Sequence, residues 1–313
     1  MIERKRELIP CLRDLSHPLV NIMSAARPRF REIQESDIEA IADLLTRGFV
    51  HRSRDYWMLG LRRQRERLLP PDAPRFGYML ENDGKPVGCL LLIYSTKSID
   101  GKPVVCCNNS SWYVDPKFRN YAALFASMTQ KRKDVTYFNI TPAAPTWPIL
   151  EAQGYQPYCR GLYFALPFLS RQGRGMRVEA VTSDTAVMPG LSDDELAMLK
   201  RHAGYGCISL VCRSAQEAVP FIFFPLRKRR GVIPLPALQL GFCRDISEFI
   251  RCAGAIGRYL LWRGRPIAIL DANGPIAGLA GTYSEARGRK YFRGPQRPRL
   301  GDLADTELAI FGM

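Results

Sequence analysis

The sequence predicts an α/β protein in which a mixed, twisted sheet is flanked by helices, and it predicts two lobes of this kind. The first observation is a strand, a turn, a helix and a second strand that follow one another between Ser110 and Tyr155. The second is that a similar order of elements recurs after about Met176. The third is the length of 313 residues, which is long for one compact core and suits two.

The composition indicates an ordinary globular protein. Hydrophobic residues make up 46% of the chain and charged residues 24%, which excludes an intrinsically disordered chain. The longest apolar runs, near Val87–Tyr94 and Ala218–Leu226, are too short to span a bilayer, so no membrane span is expected. The nine cysteines form no C-x-x-C pattern and have no ligand-like spacing with the three histidines. We therefore expect no metal site, unpaired cysteines in the core and a cytoplasmic location.

Four segments are expected along the chain. Residues 1–27 read as an N-terminal extension without a signal-peptide core, and Met23 is an alternative start. Residues 28–166 form the first lobe. Residues 167–176, in which glycines alternate with arginine and glutamine, form a linker, and residues 177–313 form the second lobe.

The first lobe opens with a predicted strand at 29–33 and a helix capped by Glu35-Ser36-Asp37. The apolar residues of that helix repeat at helical spacing: Ile38, Ile41, Leu44 and Leu45. A second helix is predicted over 54–69. Six arginines lie on it or just before it: Arg52, Arg54, Arg62, Arg63, Arg65 and Arg67. They indicate either a surface for an acidic acceptor or, in the interpretation we favour, a solvated basic face.

A hairpin and a long central strand are predicted next. Asn82-Asp83-Gly84 is a strong turn signal between the apolar runs 76–80 and 86–94. A second turn at Asp100-Gly101 precedes a strand over 103–114, which carries the polar residues 108–111. Buried polar groups need hydrogen bonds, so this stretch either lines a reaction site or marks a bulge or a solvent-facing strand end. The strand contains no Asp or Glu, so a general base would come from elsewhere or be a relayed water.

The segment from Arg29 to Tyr158 resembles the GNAT acyltransferase superfamily. The resemblance rests on Val114, Pro116 and Arg119 at a strand-to-helix junction and on the closing pair Gly154-Tyr155. It implies a lobe that binds acetyl-CoA or another acyl-CoA, with backbone N–H groups gripping the pyrophosphate at a helix start. The implied cofactor-binding residues are Tyr113, Val114, Arg119, Asn120, Tyr121, Ala122, Ala123 and Leu124.

The chain departs from the family pattern at several positions. The glycine places of the phosphate loop hold Asn120, Ala122 and Leu124, and the place of the family's general-acid tyrosine holds Leu150. The candidate catalytic residues are therefore weak ones: Asn109, Ser111, Tyr121 and Tyr155. Trp147 lies among Pro142, Pro145 and Pro148, which break the region where the family runs a helix, and it either shapes an acyl pocket or packs in the core.

The second lobe repeats the element order of the first. The sequence predicts strands at 176–180, 207–212, 218–226, 232–242 and 266–271, with helices at about 192–201 and 245–262. Arg227 to Gly231 would form a hairpin tip. Where the first lobe has its phosphate loop, residues 241–246 show no glycine ladder, and Asp245 would repel phosphate. This lobe is therefore expected to lack a cofactor site.

The C-terminal region combines basic and aromatic residues. Its six cations are Arg287, Arg289, Lys290, Arg293, Arg297 and Arg299, and we call them the C-terminal cation cluster. Together with the net charge of +15, the cluster is compatible with binding tRNA or a CoA phosphate. In the favoured alternative, 290–292 and 307–311 are the last two strands of the second lobe, and the cluster is a charged loop between them.

Three functions follow from these observations. The first is transfer of an acyl group from acyl-CoA to an amine of a small molecule or peptide by direct attack. The second is an aminoacyl-tRNA-dependent transferase built from paired GNAT-like lobes. The third is a non-catalytic binding protein that kept the fold, which the missing tyrosine, glycines and base motivate.

Overall fold

The structure is a computed structural model that describes residues 27–99, 101–173, 175–226, 229–230, 233–234 and 236–312. The predictions made for the N-terminal extension, for Met23 and for parts of the Asp100 turn, the linker and the 227–231 hairpin tip lie outside these residues. No helix in the described part of the chain is both long enough and apolar enough to cross a membrane.

The predicted elements are mostly observed in the predicted order. The first half contains β1 (Arg29–Glu32), α1 (Ile38–Gly48), α2 (Arg54–Arg65), β2 (Gly77–Asn82), β3 (Lys85–Ile99), β4 (Lys102–Val114), α3 (Ala122–Thr129), β5 (Thr136–Asn139), α4 (Trp147–Ala152), β6 (Gln156–Cys159) and β7 (Gly161–Ala165). The second half contains β8 (Arg177–Val181), α5 (Asp193–Gly204), β9 (Ile208–Arg213), β10 (Ala218–Pro225), β11 (Arg229–Arg230), β12 (Ile233–Pro234), β13 (Ala237–Phe242), α6 (Ile246–Leu261), β14 (Ile267–Ala272), β15 (Gly281–Ser284), β16 (Lys290–Arg293) and α7 (Glu307–Ile310).

The elements α4, β6, β7 and β15 were not predicted from the sequence. The short helix α4 forms despite Pro142, Pro145 and Pro148, because Pro148 lies in its first turn, where no backbone N–H is needed.

Local chemistry explains where several helices begin. Gln34 and Asp37 form a reciprocal capping box before α1, and the Ser53 hydroxyl accepts the Tyr56 N–H at the start of α2. Ser192 and Glu195 form a second capping box at α5. The apolar stripe predicted for α1 is buried as expected.

The strands form two mixed sheets of seven strands each, in the orders β1-β2-β3-β4-β5-β16-β6 and β15-β7-β14-β13-β10-β9-β8. Each sheet contains one parallel pair, β4 with β5 and β13 with β14. These are the fourth and fifth strands when the first sheet is counted from β1 and the second from β8. The predicted mixed α/β class and the predicted repetition of the element order are confirmed.

The two sheets exchange their last strands. β7 comes from the first half of the chain but pairs with β14 and β15 of the second sheet. β16 comes from the second half but pairs with β5 and β6 of the first sheet. The chain ranges 28–166 and 177–313 therefore do not coincide with the membership of the two sheets, although the boundary between them remains a prediction.

The C-terminus corrects a second expectation. Residues 290–293 do form a strand, but in the first sheet, and residues 307–310 form the short helix α7 and not a final strand. α7 carries the buried residues Ile310 and Phe311 into an apolar cluster with α1, α2 and β3. A helix replaces the expected strand because its apolar residues contact helices there and not a sheet edge.

A shared apolar core joins the lobes. One buried cluster contains Cys106, Phe138 and Tyr158 of the first sheet together with Val211 and Phe224 of the second. The C-terminal segment contributes Leu303 and Ala309 to the same cluster. The two sheets therefore bury apolar surface against each other, which favours a single folded body.

Candidate functional site

The site lies where the central strand β4 separates from β5. Parallel pairing between the two strands ends at Asn108, opposite Phe138, while β4 continues to Val114. The β4 register against β3 shifts by one residue between Asn109 and Trp112, so Ser110 and Ser111 form a bulge. This is the bulge that the polar stretch 108–111 indicated as one of two alternatives.

A carboxylate from the other end of the chain enters this gap. The Glu307 backbone N–H donates to Asn108 Oδ1 at 2.8 Å, and Ser110 Oγ donates to Glu307 Oε2 at 2.7 Å. Thr141 Oγ1 donates to the second carboxylate oxygen. Two of the four polar residues of β4 therefore contact Glu307. The alternative that this stretch lines a reaction site stays a prediction.

The environment changes the acidity of Glu307. Burial raises the pKa of its carboxyl above the ordinary value near 4.5, while the hydrogen bonds from Thr141 and Ser110 and the charge of Arg52 oppose that rise. The net upward shift means that Glu307 holds a proton more readily than an exposed glutamate. A carboxyl group with a raised pKa in a polar gap is a candidate for proton transfer.

Packing of the last residues fixes the position of Glu307. The Phe311 ring lies 5.7 Å from Trp57 in an edge-to-face arrangement and 6.0 Å from Tyr56. Gly60 permits this approach, because a Cβ at residue 60 would lie 1.9 Å from the Phe311 ring. Arg63 Nη1 also donates to the Ile310 carbonyl at 3.1 Å.

On the opposite face of β4, two of the predicted catalytic residues meet. Asn109 Nδ2 donates to the Tyr155 hydroxyl at 2.6 Å, and that hydroxyl donates to Gln130 Oε1 at 2.7 Å. Burial raises the pKa of Tyr155, so the phenol stays protonated. All three side chains are buried, and this arrangement is typical of a satisfied polar network within a core.

The other candidates lie apart from this network. Ser111 is a half-buried residue of the bulge, and Tyr121 ends the turn before α3 and packs against the cluster around Phe125. Leu150, at the place of the family tyrosine, is buried in the same cluster. Trp147 is half-buried under the Arg289 guanidinium, which lies 4.3 Å from its ring.

The turn between β4 and α3 is the predicted phosphate loop. Residues Pro116–Tyr121 form a 3-10 helix, a conformation with hydrogen bonds between residues three apart. The Phe118 N–H donates to the Asp115 carbonyl and the Ala122 N–H to the Arg119 carbonyl. One amide expected to form the cradle, that of Ala122, therefore has a backbone acceptor already.

Cations provide a different means of holding a phosphate there. Arg47, Lys117 and Arg119 are exposed near the end of β4, and Arg47 lies only 3.8 Å from Asp115. Burial and Asp115 raise the pKa of Tyr113, and the charges of Arg47 and Arg119 oppose this rise. The residues present fit an anionic group through side-chain charge. The cofactor-binding role of Tyr113, Val114 and 119–124 stays a prediction.

In the second lobe, the helix start equivalent to the predicted phosphate loop is that of α6, and the side chain of Asp245 caps it. The Asp245 carboxylate accepts the Ser247 N–H at 2.7 Å. The C-terminal segment lies on the neighbouring strand, where the Leu303 N–H donates to the Gly241 carbonyl at 2.7 Å. This arrangement agrees with the expectation that an anion is disfavoured at this helix start.

Several of the α2 arginines hold the fold together and do not form a free face. Arg54 pairs with Asp43 at 2.6 Å, and Arg67 pairs with Asp305 at 2.8 Å. Arg63 donates to two backbone carbonyls. The favoured interpretation of a solvated basic face therefore holds only for exposed members such as Arg62 and Arg65.

The C-terminal cation cluster is largely engaged within the protein. Lys290 is buried beside Asp271 at 2.9 Å. Arg293 donates to the carbonyls of Gln153 and Gln130 and lies over the Tyr155 ring. Arg289 lies over Trp147, and Arg299 contacts Asp302 at 3.5 Å. The alternative in which these residues belong to the fold is thus the better description of the region. Their strand, β16, lies in the first sheet and not in the second, where the sequence predicts it.

The residue that sequence reasoning missed is Glu307. The sequence did indicate that a base would come from outside β4, but it offered no spacing that linked residue 307 to residue 108. The contact joins positions 199 apart. A signal was present only in Thr306-Glu307 before an apolar run, which is the pattern of a helix start.

Comparisons with known proteins agree with this geometry at the level of fold. The chain is similar in structure to a GCN5-related N-acetyltransferase from Anabaena variabilis, with a TM-score of 0.55 and 11% identity over 85% of this chain and 72% of that one. It is similar to a putative acetyltransferase from Pyrococcus horikoshii, with a TM-score of 0.53 and 12% identity over 90% of this chain and 92% of that one.

A third similar structure is a conserved protein of unknown function from Enterococcus faecalis, described as a probable N-acyltransferase. Its TM-score is 0.54, with 11% identity over 88% of this chain and 73% of that one. No protein-family model matches the chain, and no curated protein sequence matches it significantly. The two seven-stranded sheets and these similarities show that the chain has the GNAT acyltransferase fold, built as two lobes.

Proposed function

We propose that the chain is an N-acyltransferase that moves an acyl group from acetyl-CoA or another acyl-CoA to an amine of a small molecule or peptide. The reaction would take place in the first lobe, with Glu307 as the general base. The observation that carries the proposal is a partly buried carboxylate, with a raised pKa, held at the point where β4 leaves β5. The acyltransferase fold of the similar structures supports the same class of reaction.

The roles of the residues follow from their contacts. Ser110 and Thr141 orient the two oxygens of Glu307, and the Asn108 amide oxygen fixes the start of α7. Glu307 would accept the proton that the attacking amine loses. Arg47, Lys117 and Arg119 would attract the phosphates of the cofactor by charge. When bound, acyl-CoA would supply an acyl group activated as a thioester.

A binding experiment tests the cofactor half of the proposal. Purified protein is mixed with acetyl-CoA, longer acyl-CoAs and free CoA, and native mass and thermal stability are recorded. We expect one equivalent to bind and to raise the melting temperature. Arg119→Glu should weaken that binding by about tenfold or more, because it replaces an attractive charge with a repulsive one.

Arg171→Glu is the matched control, because Arg171 is exposed, lies outside the β4–α3 turn, and its substitution makes the same change in net charge. Equal loss in both variants would mean a general charge effect and would contradict a site at Arg119. Failure of every CoA compound to bind would overturn the proposal and favour the non-catalytic alternative, which the buried Leu150 also supports.

The aminoacyl-tRNA alternative loses its main support. It rested on the C-terminal cation cluster and on the net charge, and four of the six cations of the cluster have partners within the protein. Retention of RNA at low salt, lost steeply as salt rises, would restore it.

A further inference from the structure

A large cavity lies between the two lobes, away from the proposed cofactor loop. Its volume is about 1040 Å³, which is at the upper limit of the range of about 300–1,000 Å³ typical of small-molecule sites. The β3–β4 hairpin lines one side near Ser95 and Cys106, and α5 lines another side near Met198 and Arg201. The segment 296–305 closes the third side.

Among the described residues, five cations and five carboxylates line this cavity, and four of the cations meet at two of the carboxylates. Asp302 Oδ2 is shared by Lys97 at 2.8 Å and Arg299 at 3.5 Å. Asp305 Oδ1 is likewise shared by Arg67 at 2.8 Å and Arg201 at 3.2 Å. Four cations thus compete for two carboxylates, each of which is already held closely by one of them. The second cations, Arg299 and Arg201, are each 41% exposed, and Arg299 also donates to the Cys243 carbonyl. A guanidinium has five N–H donors, so both side chains keep donors for a ligand.

An unsatisfied hydroxyl lies on the same wall. The Ser95 side chain is only 5% exposed, and its Oγ has no hydrogen-bond partner among the described residues. A buried polar group without a partner costs free energy unless something outside the protein satisfies it. Ser95 therefore indicates an external acceptor or donor within the cavity.

The other three carboxylates of the cavity are paired or exposed. Glu195 is neutralised by Arg244, whose guanidinium makes two hydrogen bonds to it at 2.6 and 2.8 Å. Glu66 and Asp194 are exposed, as Arg201 and Arg299 are, so solvent screens all four charges. Apolar and aromatic side chains, including Leu69, Phe138 and Phe242, complete the lining.

We propose that this inter-lobe cavity binds a small molecule with a phosphate or carboxylate group, which Arg201 and Arg299 pair with and which the Ser95 hydroxyl donates to. The apolar side chains would contact the remainder of the ligand. The cavity is separate from the proposed acyl-transfer site. The two share a wall, because Asp305 of the cavity lies two residues before Glu307.

Calorimetric titration of the full chain tests the proposal. The probes are inorganic phosphate, phenyl phosphate and benzoate, in a phosphate-free buffer with ionic strength matched by sodium chloride. We expect one equivalent of at least one probe to bind, and the aromatic probes distinguish phosphate from carboxylate. Arg299→Gln and Arg201→Gln should each weaken binding about tenfold, as expected for loss of a charge-assisted hydrogen bond.

Ser95→Ala provides a second variant that leaves all charges in place, and it should weaken binding severalfold without loss of fold. Arg171→Gln, at an exposed arginine that does not line the cavity, should bind the probe as the unaltered chain does. Failure of all three probes to bind would overturn the proposal. So would unchanged binding in the Arg201, Arg299 and Ser95 variants.

Discussion

Glu307 reaches the central strand through contacts made by residues distant in sequence. Asn108 and Ser110 lie on β4, Thr141 follows β5, and Phe311 anchors the helix that carries the carboxylate. None of these residues alone makes a site. Together they place one titratable group where the parallel pair separates, and that placement has measurable consequences for pH dependence.

If Glu307 is the base, activity should rise with pH as its carboxyl loses a proton. Because burial raises the pKa, the inflection should lie above the ordinary value near 4.5. Glu307→Gln should remove the inflection and lower kcat by about 10²–10⁴-fold. The measurement is a pH profile of kcat on both proteins. An unchanged profile in the variant would exclude Glu307 as the base.

The same shift predicts how the variant affects stability. A raised pKa means that the folded state binds the proton more tightly than the unfolded state. This contribution to folding is therefore present at low pH and is lost as pH rises through the folded pKa. At neutral pH, Glu307→Gln should consequently unfold at the same temperature or slightly above, so that lost activity is not explained by lost fold.

Two glycines in helices provide a matched pair of substitutions. Gly60→Ala places a methyl group 1.9 Å from the Phe311 ring, so we expect a loss of about 1–3 kcal/mol in unfolding free energy. Gly204→Ala, with no atom within 4 Å of its Cβ, should gain about 0.5–1 kcal/mol from helix propensity. Denaturant unfolding of the two variants measures both values. Equal effects would show that Phe311 does not occupy this position.

For individual residues, the sequence predicts which side chains are buried better than it predicts which residues they contact. The spacing of Ile38, Ile41, Leu44 and Leu45 identified the buried stripe of α1, since helical periodicity is local. The polar residues of β4 also stand out in the sequence, because a polar stretch within an apolar run is a local feature. Their partner Glu307 was not predicted, because no local pattern encodes a contact between the two ends of the chain.

Among the elements, β16 is tied to the opposite lobe by a buried ion pair. Lys290 Nζ lies 2.9 Å from Asp271 Oδ1 on β14, and the two side chains are only 5% and 1% exposed. Gln239 Nε2 donates to the same carboxylate oxygen at 3.3 Å. The pair therefore links a strand of the first sheet to two strands of the second.

Breaking this pair from one side should be costly. Lys290→Met leaves Asp271 buried without its cation, so we expect a loss of about 3–5 kcal/mol in unfolding free energy. Replacing both residues, as Lys290→Met with Asp271→Leu, should recover most of the loss. Arg251→Met, which removes an exposed partner of Glu217, should cost at most about 1 kcal/mol. A small effect of Lys290→Met would contradict the buried pair.

Element types were predictable, whereas strand partners were not. Turn signals such as Asp83-Gly84 and the apolar runs around them gave β2, β3 and β4 close to their observed bounds. β7 and β16 have strand-like patterns that suit either sheet equally. The alternation of apolar and polar residues specifies which face of a strand is buried, and not which strand it pairs with. The final helix was taken for a strand because a short apolar run is ambiguous between the two.

For the whole molecule, the exchanged strands predict a single unfolding event. Each sheet takes one strand from the other half of the chain, and one apolar cluster spans both sheets. Scanning calorimetry should therefore show one transition whose calorimetric and van't Hoff enthalpies agree. Two separable transitions would mean that the lobes fold independently, in conflict with the observed pairing.

The exchange also bears on how such a chain could arise. Two copies of a one-lobe protein that trade their terminal strands would form a swapped dimer with a two-fold axis. Joining the end of one copy to the start of the other would give the present topology, with β7 and β16 as the traded strands. In such a fused pair, losing either half strips a strand from the interior of the surviving sheet. The second lobe would therefore be retained for its strand, whether or not it binds a cofactor of its own.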